Sequence, residues 1–116
     1  MPKIWIKICG LAEESDILAC VDSGINTVGF LLSTKPHINC NRDKLSLNRA
    51  KELIEFTKGK ITSCLLIHDK SIVDIQKNIK ILNPEMIQIQ SSLDIGALLR
   101  IRDLNPDIRP RYFHPF

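Results

Sequence analysis

Short apolar runs alternate with helix-period segments along this chain, and that alternation restricts the fold more than any other feature. Ile4 to Cys9 is apolar and rich in β-branched residues, as a strand requires. Glu13 to Ser23 follows, with Ile17, Leu18 and Val21 at helical spacing and Gly24 as a C-terminal stop. Thr27 to Leu32 reads as a second strand. Ser33 to Lys44 carries Pro36, Asn39, Asn41 and Asp43 and reads as a loop. Leu47 to Thr57 is a second helix, with Leu47, Ala50, Leu53 and Ile54 on one face and Gly59 at its end. Ile61 to His68 is a third strand, and its unbroken apolar run implies burial on both faces, as in a parallel sheet.

The same rhythm continues. Ser71 to Leu82 is a third helix. Ser71 and Asp74 have the spacing of a capping box, which satisfies free amides of the first turn, and Ile72, Ile75, Ile79 and Leu82 form the buried stripe. Met86 to Gln90 is a fourth strand. Ser91 and Asp94 repeat the capping signal ahead of a fourth helix, Leu93 to Leu104, which Asn105-Pro106 ends. Four such units specify an α/β protein with a parallel sheet. The pattern alone leaves two architectures open, half of a (βα)8 barrel or a doubly wound five-stranded sheet. A fifth strand is due in the tail, Asp107 to Phe116, but Pro110 and Pro115 argue against a central strand because each removes a ladder donor.

The 116 residues suit one domain. Sixteen Lys and Arg against thirteen Asp and Glu leave a charge of +3 with no basic stripe, so nucleic acid is not an expected partner. The mild positive bias suits a phosphorylated small molecule and equally suits no ligand. Cys9, Cys20, Cys40 and Cys64 stand far apart with no Cys-x-x-Cys pair, so no metal site is expected. There is no secretory signal, and no apolar run approaches the ~18 residues of a membrane span. A reduced, cytoplasmic protein is therefore expected, with Cys20 and Cys64 filling core space as small hydrophobes.

Sites in parallel α/β folds form at the carboxyl ends of strands. Here these are Cys9, Leu32-Ser33, His68-Asp69 and Gln90-Ser91. Lys7 and Cys9 share a face by the two-residue period, as do Gln88 and Gln90. Inward glutamines on a buried strand need polar partners, either a ligand or backbone, water and each other. A receiver-like domain would want acidic residues after the first strand, where this chain has Cys9-Gly10. No glycine-rich phosphate loop follows that strand either.

Lys7-Ile8-Cys9-Gly10 resembles the first-strand motif of the phosphoribosylanthranilate isomerase family. The stretch Asp16 to Gly24 and then Gly29-Phe30 is similar to that family's first helix and second strand. Leu65-Leu66-Ile67-His68 before Ser71-Ile72-Val73 resembles its third strand and loop, and Ile87 to Ser91 its fourth-strand segment. The resemblance runs from Lys3 to about Asn105 and covers the first half of the family's barrel. It implies a parallel (βα)4 half of a TIM-type (βα)8 barrel over residues 1–106. Residues 107–116 are then a divergent tail or a fifth-strand remnant.

The resemblance also implies a reaction, the Amadori rearrangement of N-(5′-phosphoribosyl)anthranilate in tryptophan biosynthesis, run without a cofactor. Cys9 matches the general base. Lys7, Gln88, Gln90 and His37 fall at substrate-binding positions, His37 within Lys35-Pro36-His37, where the family has Ser-Pro-Arg. Gln90 and Ser91 stand where the family has histidine and glycine. The family's general acid lies on a sixth strand and its phosphate site on loops after strands seven and eight, and nothing in this chain matches them. The expectation is a truncated or impaired isomerase, which as a half barrel pairs with a second copy or with a missing C-terminal half. The alternatives are a non-catalytic half barrel used for binding or assembly, and an unrelated doubly wound domain with Cys9 in its core.

Overall fold

A computed structural model of the chain describes residues 4–32, 44–68, 71–89, 93–108 and 113–115. The elements are β1 (Lys7–Cys9), α1 (Glu14–Asp22), β2 (Thr27–Leu32), β3 (Lys44–Leu45), α2 (Leu47–Thr57), β4 (Thr62–Ile67), α3 (Ile72–Leu82), β5 (Met86–Ile89), α4 (Ile95–Leu104) and β6 (Phe113–Pro115). The strands form one sheet in the order β1-β2-β4-β5-β6, with β3 paired to β2. Every pairing is parallel.

Alternate residues of each strand divide the interior in two. Val28 and Phe30 of β2, Leu65 and Ile67 of β4, and Ile87 and Ile89 of β5 share a core with Ile17 of α1, Leu53 and Ile54 of α2, Ile75 and Ile79 of α3 and Ile101 of α4. Residues of the opposite parity, Cys64, Leu66 and Met86 with Leu31, make a small second cluster with no helical member. All four helices therefore cover one face of the sheet. The extents of 40 × 38 × 21 Å describe a slab about two layers thick. A fully buried Leu, Ile or Phe contributes roughly 1.5–3 kcal/mol, so the helix-covered face holds the fold together.

Local sequence accounts for the boundaries. Ser46 caps α2, its hydroxyl accepting from the Arg49 amide at 3.2 Å. Ser71 caps α3 through the Asp74 amide at 3.4 Å. The first helix buries Ile17 and Cys20 and leaves Leu18 44% exposed, a correction to the apolar set expected there. The cap of α4 is Asp94 itself, whose carboxylate accepts from the Ala97 amide at 2.8 Å, rather than a residue three positions earlier.

The sheet edges also differ from expectation. Ladder pairing in β1 begins at Lys7 rather than Ile4. Ile6 is still tied down, its amide donating to Asn26 Oδ1 at 2.7 Å and its carbonyl accepting from the Asn26 and Thr27 amides at 3.0 and 3.2 Å. At the other side the tail supplies β6, which pairs with β5 as an edge strand, where proline is tolerated. Lys44, expected as the end of a loop, instead opens β3, and Lys44 and Leu45 pair with Leu31 and Leu32 at the carboxyl end of β2.

Candidate functional site

Cys9 is the last residue of β1, and Gly10, with φ of 80°, turns the chain away immediately after it. That turn leaves the thiol at the carboxyl end of the strand and exposed. Lys7 lies two residues earlier on the same face and is half-buried. Parallel register aligns Cys9 with Gly29, Gly29 with Cys64 and Cys64 with Met86. The row lies on the face that none of the described helices covers.

This row brings together groups that the sequence separates by up to 77 positions. A Cβ built on Gly29 would meet Cys9 Sγ at 2.8 Å, so the thiol leans over β2 toward β4. Cys64, fully buried, sits beyond the glycine and within the field of both Lys7 and Cys9. Burial pushes the Cys64 thiol up to about 12, and the Lys7 ammonium opposes that shift. Burial also raises Cys20, on the helix-covered side, with the Asp16 carboxylate adding to the effect. Cys64 and Cys20 are thus protonated core thiols, while Cys9 stands apart from them in exposure.

Gln88 is on β5, one row above Met86, in register with Leu66, and it is half-buried on the same uncovered face. The structure therefore places Lys7, Cys9 and Gln88 on one face. Gln90 and His37 lie outside the described residues. Among the described residues no three His, Cys, Asp or Glu side chains gather as a metal site. Among the described residues no helix is long and apolar enough to cross a membrane. An open cleft lined by Lys58, Asn83, Pro84, Glu85, Asp107 and Ile108 lies at the entry to β5, the opposite end from Cys9, and a second shares Asn83, Asp107 and Ile108 with it.

The contact between Cys9 and Gly29 and the place of Cys64 beside them were not anticipated. An isolated glycine in an otherwise bulky apolar strand is the signal that could have found the first. Which residue approaches that glycine is set by the pairing register.

No protein-family model matches the chain. It is 24% identical over 96 residues to the N-(5′-phosphoribosyl)anthranilate isomerase of Streptococcus gordonii, covering 83% of this chain and 46% of that protein. It is 29% identical over 103 residues to the isomerase of the same name from Bradyrhizobium sp. strain ORS 278, covering 87% and 42%. Among solved structures, phosphoribosyl anthranilate isomerase from Thermotoga maritima matches with a TM-score of 0.74 at 19% identity, over 87% of this chain and 47% of that one. The Thermococcus kodakaraensis enzyme matches with 0.68 at 25% identity, over 85% and 44%. The chain spans a little under half the length of these curated relatives. In sequence and in α/β fold alike, it resembles the phosphoribosylanthranilate isomerase family over that share of its members' length.

Proposed function

We propose that this chain carries the general-base side of an isomerase site for N-(5′-phosphoribosyl)anthranilate, in which Cys9 removes the C2 proton during an Amadori rearrangement. One observation carries the reading. The exposed thiol of Cys9 ends β1 on the face shared with Lys7 and Gln88, whereas Cys20 and Cys64 are buried. Lys7 lies two residues earlier on the same face of β1, where its side chain can meet an anionic group of a bound ligand. A solved relative, similar with a TM-score of 0.74, is described in complex with reduced 1-(o-carboxyphenylamino)-1-deoxyribulose 5-phosphate. That compound is the natural probe for a phosphorylated ligand here. His37 and Gln90 complete the proposed set of substrate contacts.

On this reading the 116 residues form a (βα)4 half barrel with the tail as remnant fifth strand. They supply the base without the acid or the phosphate grip. A base without its acid loses transition-state protonation, and a site without its anchor loses positioning, each worth orders of magnitude in rate. The protein then works with a second copy of itself or with a C-terminal half, and its isolated turnover falls far below a typical kcat of about 10 s⁻¹. The binding reading is tested by adding the reduced deoxyribulose phosphate at millimolar concentration and following iodoacetamide labelling of Cys9. Slower labelling of Cys9, with Cys20 unaffected, supports it. Identical rates with and without the compound remove it. A half barrel serving only assembly would show neither protection nor Cys9-dependent turnover.

A further inference from the structure

Gly29 occupies the middle of β2, between Val28 and Phe30, both fully buried. Its backbone does not explain the glycine, because the left-handed glycines of the described chain are Gly10, Gly24 and Gly59. Glycine also weakens a strand interior, having no side chain to pack and more entropy to lose. What Gly29 does provide is space. A Cβ there would lie 2.8 Å from Cys9 Sγ, closer than real Cβ contacts come, while Cys9 Cα and Cβ would stand at an ordinary 3.5 Å. The conflict is therefore with the sulfur alone.

We infer that Gly29 is a positioning residue for the Cys9 thiol: the missing side chain opens a notch on the uncovered face into which Sγ lies, and any larger residue forces it out. Paired strands lie about 4.8 Å apart, so in a flat row Cys9 and Cys64, two strands apart, are separated by roughly twice that at Cα. That exceeds the reach of a disulfide, so the thiol can lean toward Cys64 and remain free. The notch thus fixes the direction of the sulfur, as a base that must meet one particular proton requires. That the positioned thiol acts as a base rests on the isomerase reading. That Gly29 positions it rests on the geometry alone.

The test is a double-mutant cycle of wild type, G29A, C9A and G29A/C9A, read by thermal unfolding and by the pH profile of Cys9 alkylation. With Cys9 present, G29A should lower the unfolding midpoint and change the Cys9 alkylation rate by about threefold or more, since the displaced thiol meets a different field. In the C9A background the same substitution should leave the midpoint unchanged or raise it, because the sulfur is gone and alanine suits a strand better than glycine. If G29A alone does not fold, the double variant should still do so. Equal loss from G29A in both backgrounds, or an unaltered Cys9 profile in a folded G29A protein, would overturn the assignment. Neither result depends on isomerase turnover, so the failure of that reading and of this one are told apart.

Discussion

Arg49 of α2 holds Glu14, the first residue of α1, through a hydrogen bond from Nη1 to Oε2 at 3.2 Å, and its Nη2 donates to the Ala12 carbonyl at 3.2 Å. Glu52 accepts from the same guanidinium at 3.1 Å. The two helices are joined just beyond the strand end that presents Cys9. The Arg49 hydrogen bond holds the Glu14 carboxyl below its ordinary value of 4.5. A carboxyl with a lowered folded pKa adds stability that is complete above the ordinary value and disappears as the pH falls through the folded one. Thermal unfolding from pH 6 down to pH 3 should therefore fall less steeply for E14Q than for wild type. Parallel curves would show that the tie carries no weight.

Cys9 should alkylate faster than Cys20 or Cys64. It is exposed, whereas the other two are buried and their thiols are pushed up by desolvation. The thiolate is the reactive species, so exposure and ionisation act in the same direction. Peptide mapping after brief iodoacetamide treatment gives the order. Equal protection of all three would make Cys9 a core residue.

Cys64 should produce an alkaline loss of stability. Its folded value of about 12 lies above the ordinary 9.0, so the neutral thiol favours the folded chain. That contribution is complete below about pH 9 and is lost as the pH rises toward 12. C64A should flatten the fall of the unfolding midpoint across pH 9 to 11, whatever it costs at neutral pH through the small cavity it leaves. An unchanged slope would mean that water reaches the thiol.

Removing the cap of α4 should be the costliest of the exposed single substitutions in the helix starts. D94A deletes an acceptor for the Ala97 amide at 2.8 Å and should cost about 1 kcal/mol. S71A deletes a longer bond, 3.4 Å, and should cost less. Urea unfolding of both variants ranks them, and a larger loss for S71A would contradict the geometry.

The flank of β1 should drive self-association. Ile4 is 80% exposed, Trp5 49% and Ile8 38%, and β1 pairs with β2 alone among the described strands. Open edges beside apolar surface invite a second chain, and a charge placed there opposes it. Wild type should sediment as a dimer or larger at micromolar concentration and I8K as a smaller species. A cooperative wild-type monomer would show that the chain closes this edge by itself. The tail already closes the edge of β5.

Local pattern alone set the strand and helix units. Thr27–Leu32 and Leu47–Thr57 are where period and punctuation put them, and Ser71 caps the helix it precedes. Such signals are local, since a helical stripe, a capping hydroxyl or a continuous apolar run acts within a few residues of itself. The motif around Cys9 likewise marked the strand end that the structure exposes. Whatever depends on neighbours across the sheet was settled by packing. Leu18 is left exposed on α1, Lys44–Leu45 became sheet because β2 passes beside it, and the proline-bearing tail pairs because β5 had a free side. The meaning of Gly29 belongs to the same class. Its missing side chain matters only because register sets Cys9 opposite it. Register is fixed by the packing of whole faces, which no short stretch of sequence contains.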